Sequence, residues 1–320
     1  MHDSQVIGLR HPQTREVLLC SILGRMRTVF ALVVYRNPTG HRWILKTILD
    51  ENGSPEDTAF DQDAIKIDFS LKRELSKEDK ATLAALNFKP SVKGGHVWPS
   101  CRSHFPGAYP WAVTEQEAET LIFALPRVAA AARLASQFPD LWKDHLMGEI
   151  AFVPDQFDPA TEELSPEALN WHPMVPPPAP VPESVVLDSE LIARFAQLAQ
   201  PIGFLLELDV AYSPAVVVTA PDRPRLPKIA MAADRASGYI GGVQLSEDGD
   251  LDGAHALGSV LSKALVEFKA RPVSFRVRRT SVAAMLADVA RQLDIPIVQD
   301  LGLPAINEAM ESLEFQFRRR

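Results

Sequence analysis

Short apolar, β-branched stretches alternate with turn signals through the first fifty positions. Residues 5–10, 16–22, 28–35 and 43–49 read as strands. Turn residues separate them: His11-Pro12-Gln13, Leu23-Gly24-Arg25 and Asn37-Pro38-Thr39-Gly40. Connections this short favour an antiparallel meander. Residues 51–63 are acidic, contain Gly and Pro, and read as a loop; Ala64–Ser70 alternates apolar and polar positions and reads as a further strand.

The period then changes. Ser76 and Asp79 are spaced as a capping pair, with Leu83 and Leu86 supplying an apolar helix face. Thr114 with Glu117 opens a longer helix to about residue 135, which Pro126 is expected to kink or divide. Residues 149–153 suit one more strand. From Pro154 to Pro182 proline dominates, and Pro176-Pro177-Pro178-Ala179-Pro180 favours an extended, semi-rigid spacer. This reading gives a β-rich α+β domain over residues 1–153, a proline-rich linker over 154–183 and an α/β domain over 184–320.

The second half has its own order. A helix over 188–199 precedes three strand segments at 203–211, 228–233 and 239–245. Then come a helix over 252–269, a strand at 273–278, a helix at Thr280–Leu293, a strand at 295–299 and a helix over 303–317. Alternation of this kind implies a mixed sheet with crossover helices. The element order is that of ribonuclease H-like folds, an analogy of fold that does not carry function.

Composition narrows the picture. The chain has 320 residues, 46% of them hydrophobic, enough for two cores. Its net charge of −8 argues against general nucleic-acid binding, which needs a basic face. The longest apolar runs, such as 29–35 and 214–220, are too short to span a bilayer. The first ten residues are polar and unlike a signal peptide. The two cysteines, Cys20 and Cys101, therefore read as reduced thiols of a cytoplasmic protein.

Certain motifs are distinctive as a set. They include Leu23-Gly24, the run 29–36, the segment from Val97 to Trp111, Arg223-Pro224-Arg225-Leu226-Pro227, the turn Asp234 to Gly238, Arg271-Pro272, Arg276-Val277-Arg278 and Leu303-Pro304-Ala305. On these the chain resembles a bacterial two-domain group classed as domains of unknown function. The resemblance implies architecture and carries no activity, cofactor or partner. A cysteine-rich metal-binding tail belongs to some proteins of that kind. This chain ends instead in Arg318-Arg319-Arg320, read as a solvated end.

Two surfaces could bind. The segment from Trp98 to Trp111 reads as a loop that sets Trp98, Tyr109 and Trp111 among prolines with Arg102 between them; rigid aromatics beside an arginine suit recognition. The alternative is that they fold onto their own sheet. On the strand 273–278, Arg276 and Arg278 share a face and could hold phosphate or carboxylate, or simply pair with acidic neighbours. His96, Cys101 and His104 match no standard zinc spacing, and no metal or cofactor is expected.

The leading reading is a non-enzymatic binding or scaffold protein whose partner is a protein or a small anionic ligand. The alternative is a metal-dependent nuclease or phosphodiesterase using Asp209, Asp234, Glu267 and Glu311. Against it, the strand where a further carboxylate belongs carries arginines instead. Phosphate-loop, dinucleotide and nucleophile-elbow motifs are all absent from the sequence.

Overall fold

A computed structural model describes residues 5–49, 60–92, 95–143, 145, 148–198, 203–213, 223–246 and 253–317. Most of the acidic stretch read as a loop, the apolar run 214–220 and the terminal arginines lie outside the described residues. The chain divides into two compact units, Met1–Pro178 and Ala179–Arg320. Among the described residues no helix is long and apolar enough to cross a membrane.

The first unit is built on a seven-stranded sheet in the order β5-β4-β3-β2-β1-β6-β7. Its strands are β1 Val6–Arg10, β2 Val17–Leu23, β3 Ala31–Tyr35, β4 Ala64–Ser70, β5 Trp98–His104, β6 Glu149–Phe152 and β7 Asn170–Pro173. Neighbours are antiparallel except β1 and β6. Its helices are α1 Asn37–Leu49, α2 Lys77–Ala85 and α3 Glu115–Gln137. One sheet face packs on α3 through Ile7, Leu9, Leu18, Val34 and Ile65. The other meets α1 through Val6, Leu19, Val33 and Tyr35 against Ile44 and Leu45.

Four readings are corrected here. Residues 43–49 are helical, not a strand. Asn37, at φ 47°, accepts the Thr39 and Gly40 N–H groups on its side chain, Pro38 follows it, and Ile44 and Leu45 then face inward. Gly40 is required there, since a Cβ would lie 2.2 Å from the Asp63 carbonyl oxygen. The helix α3 runs unbroken through Pro126. The carbonyl that proline leaves unpaired belongs to Ile122, whose side chain is 71% exposed, so water can reach that side of the helix.

Trp98–His104 is a strand rather than a loop, because its backbone completes the sheet edge against β4. Finally, residues 154–174 are not spacer. Phe157, Leu164, Leu169 and Met174 are buried, and β7 pairs with β6. Apolar burial of that kind, worth about 1.5–3 kcal/mol per large side chain, outweighs the extended bias of scattered prolines.

The second unit has a five-stranded sheet, order β10-β9-β8-β11-β12. The strands are β8 Leu205–Tyr212, β9 Lys228–Asp234, β10 Ile240–Leu245, β11 Ser274–Val277 and β12 Ile297–Gln299. The first three form an antiparallel meander; β11 and β12 run parallel to β8. Helix α4 is Ser189–Ala196, α5 Ala254–Phe268, α6 Thr280–Leu293 and α7 Pro304–Phe317. Leu206, Leu208 and Val210 face the core shared with α5 and α6. Because strand side chains alternate, Glu207 and Asp209 face the other way, toward α7. There Met231 and Ala233 pack on Leu303 and Ile306. Gly241 and Gly242 sit at a register shift under α5, where a Cβ on Gly241 would lie 2.4 Å from the Phe268 ring.

Candidate functional site

The register of β11 on β8 sets Arg276 opposite Glu207, so Arg276 and Arg278 rise from the α7 face of the sheet beside Glu207 and Asp209. Arg235, just beyond β9, and Asp300, just beyond β12, reach the same place. Arg279 closes the end of β11.

Each carboxylate in this cluster is engaged. Glu207 is fully buried and accepts the Ala305 and Ile306 N–H groups at 3.0 and 3.2 Å, capping α7 from within the sheet. Burial pushes its carboxyl pKa up, while those N–H groups and Arg235 pull it down. Arg235 lies 3.4 Å from Glu207, donates to Asp300 at 2.9 Å and to the Gly302 carbonyl at 3.1 Å. Asp300 is held below the usual carboxylate range, first by the Gly302 N–H and also by Arg235 and Arg276. Asp209, 3% exposed, pairs with Arg279 and lies 3.5 Å from Arg278.

The arginines are not engaged equally. Arg278 donates to Asn307 at 2.6 Å, yet its Nε is buried with no partner among the described residues. Arg276 donates only from Nε, to the Ser274 hydroxyl at 3.1 Å, and no carboxylate lies within ion-pair reach of it among the described residues. Four guanidinium groups therefore face three carboxylates, and the surplus charge sits on Arg276.

The acids of the alternative reading do not converge. Asp234 pairs across from Leu206, so it points to the α5 face while Asp209 points to the α7 face. Asp234 accepts the Ser237 hydroxyl at 2.6 Å and the Ser237 N–H at 3.1 Å, capping a turn. Glu267 accepts from the Tyr239 hydroxyl at 3.1 Å, and Glu311 lies exposed on α7. Among the described residues no three His, Cys, Asp or Glu side chains are placed to share a metal ion.

The aromatic surface in the first unit is divided. Trp98 and Arg102 share one face of β5. Trp111 bridges Ser103 and therefore lies on the other. Arg102 forks onto both Asp79 oxygens at 2.8 and 2.7 Å. Trp98 is half-buried, against Phe88 and under the Lys72 ammonium at 4.8 Å. Tyr109 and Trp111 are 50% and 43% exposed.

Comparison with known families matches residues 1–152 to DUF7309 and residues 191–314 to DUF6930, each described as a domain of unknown function. The chain joins these two domains. A comparison with curated proteins finds no match.

The arginine cluster lies wholly within the DUF6930 segment, and the Trp98–Arg102 strand within the DUF7309 segment. The sequence reading of the DUF6930 site found Arg276 and Arg278 from their alternation. It missed Glu207, Arg235 and Asp300. Glu207 was the legible one, since it stands two positions before Asp209 on the same strand; Arg235 and Asp300 arrive from separate loops and carried no local signal.

Proposed function

We propose that the protein is a non-enzymatic binding protein that takes an anionic group of its partner, phosphate or carboxylate, at Arg276 and Arg278. The observation that carries this is the unpaired charge of Arg276 among arginines whose carboxylate partners are already taken. Guanidinium groups favour such anions because their planar N–H forks match two oxygens at once. The position, late in a parallel strand, suits the rule that open α/β sheets bind ligands near strand carboxyl ends. The acidic chain as a whole fits a discrete anionic group better than a nucleic-acid backbone. Two free thiols fit a reducing cytosol.

The nuclease or phosphodiesterase reading has less support. The element order is ribonuclease H-like, but metal-dependent chemistry of that type needs carboxylates gathered on one ion at about 2.0–2.6 Å. Here Asp209 is committed to arginine and Asp234 faces the opposite side.

Calorimetric titration with inorganic phosphate and with citrate, at fixed ionic strength, tests the binding reading. Binding that Arg276→Gln weakens about tenfold, and Arg276→Lys less, supports it. Equal affinity in wild type and Arg276→Gln, or no heat from either anion, removes it.

A further inference from the structure

A cavity of the first unit opens over β1, β6 and β7. It measures about 500 Å³, within the range of small-molecule sites, and is lined by Arg10, Phe152, Asp155, Gln156, Asn170 and His172. The sheet register explains why these side chains gather. Gly8 pairs with Phe152 and Phe152 with Asn170, while His172 pairs with Ile150. Directly paired residues and those two apart share a face, so Gly8, Arg10, Phe152, Asn170 and His172 all rise on the α1 side. Helix α1 packs on β2 and β3, and the cavity occupies the same face over β1, β6 and β7.

Gly8 shapes its floor. A Cβ there would fall 2.6 Å from three carbons of the Phe152 ring, so the ring lies directly over the glycine backbone. The His172 ring meets Phe152 edge-on at 4.9 Å. Around this aromatic floor, Asn170 and Gln156 each offer an amide donor and an acceptor, and neither side chain forms a hydrogen bond among the described residues. Arg10 and Arg15 share one carboxylate, Asp155, at 3.9 and 3.8 Å, beyond hydrogen-bonding distance. One positive charge is thus in excess at the rim.

We infer that this cavity is a binding site for a nucleoside monophosphate. The base would stack on Phe152, its polar edge would meet the amides of Asn170 and Gln156, and the phosphate would pair with Arg10. A flat aromatic floor selects a π-system, two amides tolerate any base edge, and the surplus guanidinium selects the anion.

The test is titration of the full chain with AMP, GMP, CMP and UMP, alongside adenosine and inorganic phosphate. At least one nucleotide is expected to bind, with adenosine and phosphate each about tenfold weaker. Phe152→Leu and Arg10→Gln should each weaken the nucleotide about tenfold, with circular dichroism confirming that both variants fold. All of these titrations use Arg276→Gln as the background, which removes the anion site of the second unit, so the binding read out is that of this cavity. Failure of all four nucleotides to bind in that background, or binding indifferent to both Phe152→Leu and Arg10→Gln, would each overturn the assignment.

Discussion

Arg102 and Asp79 meet at two points, 2.8 and 2.7 Å, tying the edge strand β5 to helix α2 across 23 residues of chain. The pair makes Arg102 a brace instead of a docking residue. Arg102→Ala is expected to cost about 1 kcal/mol of stability, reduced from a buried pair's value because the Arg102 side chain is 32% exposed. The Arg102 hydrogen bonds hold the Asp79 carboxyl below its ordinary range. A depressed carboxyl stabilises the fold above its unfolded pKa, and that stability is lost as pH falls through the folded value. Urea unfolding should therefore show a gap between wild type and Arg102→Ala at pH 7 that shrinks by pH 3.

Asp209 separates a structural ion pair from a catalytic acid. A carboxylate kept for metal chemistry usually strains its surroundings, and its removal is tolerated. Asp209 instead pairs with Arg278 and Arg279, so Asp209→Ala should destabilise the protein by about 3 kcal/mol in guanidinium unfolding. A variant as stable as wild type would return the nuclease reading to consideration.

Glu207 should act as the helix cap of α7. Glu207→Leu removes the acceptor for Ala305 and Ile306 and should cost about 1–2 kcal/mol. Hydrogen exchange at those two amides should accelerate in Glu207→Leu and much less in Glu207→Gln, which keeps an oxygen in place. Because burial raises this carboxyl, its protonated form is favoured on folding. Its contribution is greatest below the unfolded pKa and declines as pH rises through the folded one.

The two thiols should react fully only after unfolding. Cys20 is fully buried on β2 and its pKa is pushed far up by desolvation; Cys101 on β5 is raised as well, also by burial. Strands β2 and β5 are three places apart, roughly 14 Å, beyond disulfide reach. A colorimetric thiol reagent should titrate both groups in denaturant, and at pH 7.5 without denaturant it should label Cys20 not at all and Cys101 slowly.

Gly40 should admit no side chain. Its missing Cβ would collide with a backbone oxygen, which cannot rotate aside, so Gly40→Ala should cost about 2–3 kcal/mol in thermal or urea unfolding.

Local chemistry made much of this architecture legible. Ser76 accepts the Asp79 N–H, and Thr114 with Glu117 forms a reciprocal capping box at the ends where each sequence pattern placed a helix. The strand Ala64–Ser70 and the helix Thr280–Leu293 have the bounds their periodicity set. These signals act within four residues, through backbone groups that every chain carries. Residues 43–49 escaped the same logic because a short apolar run suits either period, and only packing of Ile44 and Leu45 beneath the sheet chose the helix.

Charge pairing and sheet faces were a different matter. The sequence by itself determined that Arg276 and Arg278 share a face and that the chain holds two differently ordered halves. Only the tertiary structure decided that Asp209 faces arginine, that Asp79 takes Arg102, and that Trp98 and Trp111 point to opposite sides. Partners separated by 23 to 70 residues meet through strand register, and register depends on the summed burial of every neighbouring strand. No local pattern of residues encodes that sum.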